Sequence, residues 1–266
     1  MKPLVFLCQP RYSNLVDARA LEAFSNPSSG AVNFSWGTQA GGSPAAMQCS
    51  LLAFGFNKLW CMALNLRSVY RITHFAMLHA DVQPEPGWLD KLIAEQKRVG
   101  ADVLSCVIPF KTRIGLTSTG LGIPDAPREQ AGITGDSRRL TMNEVHQLPS
   151  TFGAADTDEP GKVLLINTGC WVADFTKPWA DKVCFRIHDD IVRDTEGRFH
   201  AETKGEDWNL SYQLHDLGCR VFATRAIQCI HHGDWGYSNW PAWGDWQTDE
   251  AYKKLVEVRK EKAAQP

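Results

Sequence analysis

The stretch "ITHFAMLHADVQPEPGW", residues 72–88, decides the fold expected for this chain of 266 residues. Its apolar run, Phe75–Leu78, is typical of a strand buried on both faces of a parallel sheet. The run stops at His79-Ala80-Asp81, and a proline-rich turn and a predicted helix follow. In an open α/β sheet, ligands bind outside the carboxyl ends of the strands. The stretch therefore predicts a buried strand that ends at a ligand site.

The same alternation of strand and helix extends to both sides of this stretch. Short apolar runs predict strands at residues 3–9, 32–36, 73–78, 101–110 and 162–175. Helix formers and amphipathic periodicity predict helices at residues 45–68, with an interruption near Gly55, and at 85–99, 205–217 and 248–266. Gly100 and Gly218 follow two of these helices as C-terminal stop signals. This βαβ alternation predicts a mostly parallel α/β sheet.

The composition of the chain limits the kinds of partner it is expected to bind and the compartment in which it is expected to work. The net charge is −2, so no basic field is present to hold nucleic acid. The eight cysteines show no CxxC spacing, which favours a reducing cytoplasm over a disulfide framework or zinc fingers. The start, "MKPLVFLCQPRY", is interpreted as a first strand rather than a signal peptide. No segment approaches the ~18 apolar residues that are needed to span a bilayer.

His79, Asp81 and the adjacent pair His231-His232 are the candidate metal ligands. A hard divalent cation prefers carboxylate oxygens, and Mn²⁺ also accepts imidazole. Each motif also has an explanation that involves no metal. Asp81 is also suited to begin a turn before Pro84, and adjacent histidines are commonly one packed and one solvated residue. On an extended segment only one of the two histidines faces a given site.

Glu206 and Asp207 follow Gly205 at the predicted start of a helix. Acidic residues in a first turn are favoured by the helix dipole, so stabilisation of the helix start would by itself explain both residues. A carboxylate placed there is also suited to act as a general base. Four tryptophans, Trp235, Trp240, Trp243 and Trp246, are suited either to packing or to stacking on a sugar.

The order of these motifs resembles that of the GT-A glycosyltransferases, in particular family-2-like enzymes of bacteria and their phages. The resemblance covers roughly residues 3–235, and its most specific parts are "LHADVQPEPGWLDKL" (78–92) and "GEDWNLSYQLHDLGCRV" (205–221). It implies a Rossmann-like mixed sheet flanked by helices. It also implies a nucleotide-diphosphate sugar donor, a divalent metal (Mn²⁺ or Mg²⁺) and inversion at the transferred sugar.

The resemblance assigns roles at the metal and at the reacting hydroxyl. Asp81 matches the last aspartate of the family's Asp-x-Asp motif, which binds the metal, while His79 departs from its first position. His79 would ligate the metal or contact the nucleotide. Asp207, preceded by Glu206, matches the catalytic base. His231 matches a late metal ligand in a His-x-Gly pattern, with His232 as the fallback.

The resemblance also implies substrate contacts. Pro10, Arg11 and Tyr12 match the place where the first strand meets the nucleotide base. Asn65 matches the asparagine of an Arg-Asn pair in the preceding helix, with Leu64 in place of the arginine. Residues expected on the acceptor side are Thr168, Gly169, Trp171 and Trp235. The acceptor itself stays open: a glycan, a lipid, a protein or modified nucleic acid.

The expected organisation is one catalytic domain over residues 1–266. Residues 1–110 would bind the nucleotide sugar, 111–162 would form a long loop region, 163–247 would form the acceptor and catalytic half, and 248–266 a C-terminal helix. Two other functions remain open. A nucleotidyltransferase would carry a glycine-rich phosphate loop after the first strand, where "CQPRYSNL" has no glycine. A non-catalytic sugar- or nucleotide-binding protein would bind without turnover.

Overall fold

The chain folds as a mixed β-sheet with helices on both faces. The computed structural model describes residues 2–11, 15–36, 46–49, 51–124, 137–193 and 196–244. The helices are α1 Ala18–Ser25, α2 Leu52–Tyr70, α3 Trp88–Val99, α4 Met142–Gln147 and α5 Glu206–Asp216, with a short 3₁₀ helix at Ala154–Asp156. The predicted class, a Rossmann-like α/β fold with a mixed sheet, is confirmed.

The strands in the same residues form one large sheet and three small ones. They are β1 Leu4–Arg11, β2 Asn33–Trp36, β3 Ala46–Gln48, β4 His74–Leu78, β5 Val82–Pro84, β6 Val103–Cys106, β7 Leu116–Gly122, β8 Ser137–Thr141, β9 Thr151–Phe152, β10 Val163–Leu165, β11 Cys170–Asp174, β12 His188–Arg193, β13 Phe199–Lys204, β14 Val221–Thr224, β15 Cys229–His232 and β16 Gly236–Ser238.

The large sheet has the order β2-β1-β4-β11-β6-β14-β9, and β3 pairs with the last residues of β1. Strands β2, β1 and β4 are parallel to one another, and β6 is parallel to β14. Strand β11 lies between β4 and β6 and is antiparallel to both. The carboxyl ends of β1, β4, β6 and β14 therefore share one edge with the start of β11.

Alternate residues of these strands build a core on each face of the sheet. On one face, Trp88, Leu89 and Leu92 of α3 pack with Phe24 of α1 and with Leu7 of β1. This packing confirms the amphipathic pattern predicted for α3, which ends at Gly100 in a left-handed conformation, φ 64°. Glycine is the residue that adopts this conformation at the least cost.

The opposite face is covered by α2 and α5 and is rich in aromatic side chains. Trp60 of α2 lies at its centre and is 2% exposed. Its ring stacks on Trp171 of β11, with centroids 5.8 Å apart, and meets the edges of Phe75, Phe175 and Phe185. The indole N–H of Trp60 donates to the carbonyl of Ala180 at 2.8 Å. Several of the large aromatic side chains are thus placed directly beneath the central strands.

Local expectations differ from the structure at two points, and a third expectation is not tested. Helix α2 begins at Leu52, after strand β3, and Gly55 lies inside it without an interruption. The segment 111–162, expected as a long loop region, carries strands β7, β8 and β9 and helix α4. Trp246 and the expected helix 248–266 lie outside the described residues.

No helix in the described part of the chain combines the length and the apolar character that crossing a membrane requires.

Candidate functional site

The site lies at the edge of the sheet where β4 and β6 end and β11 begins. The backbone N–H of His79, just after β4, donates to the carbonyl of Gly169, just before β11, at 2.8 Å. The small antiparallel sheet β16-β15-β5 covers this edge. In it, His231 pairs with Val82, and the N–H of His232 donates to the carbonyl of Asp81 at 2.8 Å. This pairing brings together two motifs that are 150 residues apart in the sequence.

Asp81 is the charged centre of this edge. Its Oδ2 lies 2.6 Å from the Nζ of Lys111 and 3.4 Å from the Nε2 of His231. Burial tends to raise the pKa of the Asp81 carboxyl, but hydrogen bonds and charges from His231 and Lys111 outweigh it. The resulting pKa is held well below its usual range. Asp81 is therefore a carboxylate at every physiological pH.

His231 is oriented as a metal ligand would be. Its Nδ1 lies 2.8 Å from the carbonyl oxygen of Pro109, which can only accept, so Nδ1 carries the proton. Its Nε2 faces the Asp81 carboxylate at 3.4 Å. A cation between the two atoms satisfies both, and a backbone carbonyl behind a histidine is the usual support of a metal ligand.

The donor set fits a divalent cation, although not with all three predicted ligands. Two ligands about 2.1 Å from one ion lie within roughly 4 Å of each other, as the Asp81 and His231 atoms do. His79 lies too far away to join them: the three residues do not form a group whose ligand atoms all lie within 4.8 Å of one another. His232, the fallback ligand, instead contacts the Oε1 of Gln83 through Nε2 at 2.8 Å.

His79 offers a polar atom that other described residues do not use. Its Nε2 is buried and has no hydrogen-bond partner among them, and its ring lies 5.5 Å from that of Phe56. Burial lowers the pKa of His79 to about 4, so the ring is neutral. A buried, unpaired ring nitrogen beside the carboxylate is suited to contact a bound ligand.

Asp207 and Glu206 occupy the first turn of α5, as predicted. Both are half-buried, and burial, followed by the charge of Glu206, raises the pKa of Asp207 to about 7. Burial also raises the pKa of Glu206. Asp207 Oδ1 accepts the N–H of Trp208 at 2.8 Å, so the residue also serves the helix end. A carboxylate with a pKa near neutrality is well suited to general-base catalysis.

Two short segments connect the Asp81 end of the site to the Asp207 end. The Oγ of Ser211 accepts the N–H of Ile166 at 3.0 Å and donates to the carbonyl of Asp207 at 2.8 Å. Ile166 and Gly169 are three residues apart, so their α-carbons are at most about 11 Å apart. The turn 166–169 thus joins His79, just after β4, to the first turn of α5.

The second connection runs through Pro109-Phe110-Lys111. The guanidinium of Arg139 lies 4.3 Å from the ring of Phe110 and 4.3 Å from the ring of Trp208, next to Asp207. Lys111, adjacent to Phe110, contacts Asp81. The segment 109–111 therefore contacts both ends of the site. It meets His231 and Asp81 on one side, and on the other it meets Arg139, which lies next to Asp207.

Only some of the residues predicted to bind the nucleotide lie at the carboxyl edge of the sheet. Pro10 and Arg11 end β1 at the carboxyl edge, and Arg11 donates to the side chain of Gln9 at 3.1 Å. Tyr12 lies outside the described residues. Asn65 is exposed on α2, nine residues beyond Phe56, which is about 13 Å along the helix. Because Phe56 is the residue that contacts His79, Asn65 lies well away from the candidate metal ligands.

The residues predicted on the acceptor side divide between core and surface. Trp171 is fully buried in the aromatic core, so its side chain does not line an acceptor site. Thr168 is also buried, and Gly169 contributes its backbone to the turn. Trp235 is 66% exposed and lines a groove of about 270 Å³ with Arg113, Tyr237 and Trp243 among its neighbours. Tyr237 pairs with His231 across β15 and β16, so the groove adjoins the site.

Sequence reasoning missed Lys111, Arg139 and Asn239. A lone lysine after a strand and an arginine in a polar segment carry no motif, because their roles depend on contacts that are distant in the sequence. Asn239 follows Ser238 in a tryptophan-rich stretch and is completely buried. Its side chain accepts the N–H of Cys229 at 2.8 Å and donates to the carbonyls of Val107 and Ile227.

Replacing Asn239 with alanine is expected to lower the free energy of unfolding by about 2 kcal/mol, because three buried backbone groups lose their partner. Since Asn239 joins the strand of His231 to the end of β6, the same change should also weaken Mn²⁺ binding. Denaturant unfolding and calorimetry with Mn²⁺ measure the two effects. The exposed Asn65→Ala variant is the control, and an equal effect there would contradict a role for Asn239 in supporting the site.

Three buried cysteines lie just beneath the site. The sulfurs of Cys106, Cys170 and Cys229 lie within 4.8 Å of one another, and all three residues are fully buried. Leu7, Leu78 and Ile108 are among the apolar residues of their cluster. Three thiolates around a mono- or divalent ion would leave net negative charge in this apolar core, which is costly. The trio is best explained as packed thiols.

Comparisons with known proteins give weak similarities only. No protein-family model and no curated protein matches this chain. Among solved structures, A197 from STIV is 14% identical over 88% of this chain and 87% of its own, at a TM-score of 0.47. Apo UDP-glucose pyrophosphorylase is 9% identical over 97% and 82%, at 0.35. The same enzyme complexed with UDP-glucose is 11% identical over 98% and 81%, at 0.33. With TM-scores below 0.5, these similarities carry no information about activity.

Proposed function

We propose that this protein is a metal-dependent glycosyltransferase that moves a sugar from a nucleotide-diphosphate donor to an acceptor hydroxyl, with inversion. One observation carries the proposal. The structure gathers the carboxylate of Asp81 and the Nε2 of His231 at the carboxyl edge of an α/β sheet, and short connections join them to a carboxylate with a raised pKa. An anion-binding metal and a general base are the two parts that this reaction needs.

Each part of the site has a role in the proposed reaction. Asp81 and His231 would hold a Mn²⁺ or Mg²⁺ ion, which neutralises charge on a departing diphosphate when bound. His79, with its unused Nε2, would contact the bound donor. Asp207 would remove the proton from the acceptor hydroxyl, and Glu206 helps to keep the pKa of Asp207 high. The groove beside Trp235 is the proposed acceptor side, where an exposed aromatic ring is suited to stack on a sugar.

The proposal is tested by titrating UDP, GDP and dTDP into the protein with Mn²⁺ and then with EDTA. We expect one diphosphate to bind in the presence of Mn²⁺, and EDTA or Asp81→Ala to weaken that binding by at least tenfold. The matched control is Asp102→Ala, because Asp102 lies at the opposite edge of the sheet, at the start of β6. Hydrolysis or transfer of the corresponding nucleotide sugar is then measured.

Two results would contradict the proposal. If none of the nucleotides binds with or without metal, the site is not a donor site. If a nucleotide sugar binds but is neither hydrolysed nor transferred to any acceptor tested, a non-catalytic binding protein on this fold becomes the better explanation.

A further inference from the structure

Lys111 is the cation that the structure places at the candidate metal site. Its Nζ lies 2.6 Å from Asp81 Oδ2, the same oxygen that faces His231 Nε2 at 3.4 Å. Lys111 is about one-third exposed, so its ammonium lies at the rim of the site, where it can reach a ligand. The carboxylate therefore has two candidate cations, the ammonium of this chain and a divalent ion from solution.

The path of the Lys111 side chain is built into the fold. Gly233, directly after β15, lies beneath its aliphatic stem. A Cβ added at Gly233 would come within 2.8 Å of the Lys111 Cδ and within 3.3 Å of its Cβ. The glycine of the His-x-Gly pattern thus makes room for this lysine. The carbonyl of Pro109, two residues earlier, fixes His231, so the lysine and the histidine are placed by the same segment.

Electrostatics decides what happens when a divalent ion and a nucleoside diphosphate bind together. Two cations on one carboxylate oxygen repel each other, so the Lys111 ammonium would leave Asp81 when that carboxylate holds a divalent ion. A diphosphate brings several negative oxygens to the same place. Lysine is a common phosphate ligand that acts as a flexible point charge, so the displaced ammonium has a new partner within reach.

We propose that Lys111 is a catalytic residue that leaves Asp81 for the donor diphosphate and neutralises the leaving group; this rests on the proposed function. In the transfer step, the bond between the sugar carbon and the diphosphate oxygen breaks, and the acceptor oxygen bonds to that carbon. The acceptor proton goes to Asp207. The diphosphate leaves with the electron pair, and Lys111 pairs with the charge that develops on it.

The proposal predicts effects of opposite sign on two ligands, measured by calorimetry on Lys111→Met. Affinity for Mn²⁺ alone should rise about threefold to tenfold, because the ion no longer competes with an ammonium. Affinity for the diphosphate that the unaltered protein binds, with Mn²⁺ at saturation, should fall about tenfold or more. Affinity for the corresponding monophosphate should change less. A purely structural role would weaken all three.

Two variants complete the test. Lys97→Met removes the same charge at the last turn of α3, at the opposite edge of the sheet, and should change none of these affinities. Lys111→Arg keeps the charge and should recover part of the diphosphate affinity, and Lys111→Gln replaces Lys111→Met if that variant does not fold. Weaker Mn²⁺ binding, or unchanged diphosphate binding, by the variant without the charge would overturn the role of Lys111 alone. If the unaltered protein binds no nucleotide, the proposed function fails first and this inference fails with it.

Discussion

Asp207→Asn is expected to lower the rate of sugar transfer by about 10³-fold while making the folded protein more stable. General-base catalysis contributes roughly 10²- to 10⁴-fold to such reactions, and an amide cannot accept the proton. The same substitution removes a carboxylate that burial disfavours, so we expect about 2 kcal/mol of added stability at pH 8. Turnover of the nucleotide sugar and denaturant unfolding measure the two effects.

The pH dependence of both quantities follows from the raised pKa of Asp207. Transfer needs the carboxylate, so kcat/KM should rise with pH and level off above about 7. A folded pKa above the unfolded value stabilises the protein fully below the unfolded pKa, near 3.8, and this contribution is lost as pH rises through about 7. The stability of the Asp207→Asn variant should lack this pH-dependent contribution. A variant with normal turnover, or one that is destabilised at pH 8, would contradict the assignment of Asp207 as a base with a raised pKa.

Trp60→Ala is expected to lower the free energy of unfolding by about 3–5 kcal/mol, the largest effect on stability that we expect from a single change. The indole contacts five aromatic rings of the sheet and its flanking loops. Its removal leaves a large cavity beneath β4 and β11, and the carbonyl of Ala180 loses its donor. Denaturant unfolding of the two proteins measures the difference.

Two substitutions serve as controls for this effect. Trp60→Phe keeps an aromatic ring and loses the hydrogen bond, so its cost should be smaller. Trp235→Ala removes an exposed tryptophan, and its stability should change by less than about 0.5 kcal/mol. A cost of less than about 1 kcal/mol for Trp60→Ala would show that the aromatic cluster does not stabilise the fold as its burial implies.

Residues whose environment is set by near neighbours in the sequence were predicted well. The apolar runs at Phe75–Leu78 and around Leu7 became buried strands, and Gly100 ends a helix because only local backbone geometry is involved. Asp81 follows an apolar strand and His231 lies near the end of another, as predicted, and their roles as metal ligands, which the resemblance implies, stay predictions. Their approach to within 3.4 Å depends on the pairing of β5 with β15, which the sequence order alone does not specify.

Residues whose environment depends on distant pairing were predicted poorly. Trp171 follows a Thr-Gly turn and was expected beside the acceptor, but β11 lies between β4 and β6, which places its side chain against Trp60. Lys111 has no pattern around it, and its contact with Asp81 depends on the placement of Pro109 beside His231 and on the space that Gly233 leaves. The segment 111–162 was expected to be irregular because it carries Gly, Pro, Asp and Thr with little periodicity.

The central position of β11 also determines when this protein can fold as it is synthesised. Strand β6, at Val103–Cys106, pairs on one side with β11 and on the other with β14, both of which follow it in the chain. Until the ribosome has produced residue 174, β4 and β6 have no strand between them, and β6 waits for residue 224 for its second partner. A nascent chain that ends before residue 174 therefore leaves the facing edges of β4 and β6 unpaired, and exposed strand edges favour aggregation.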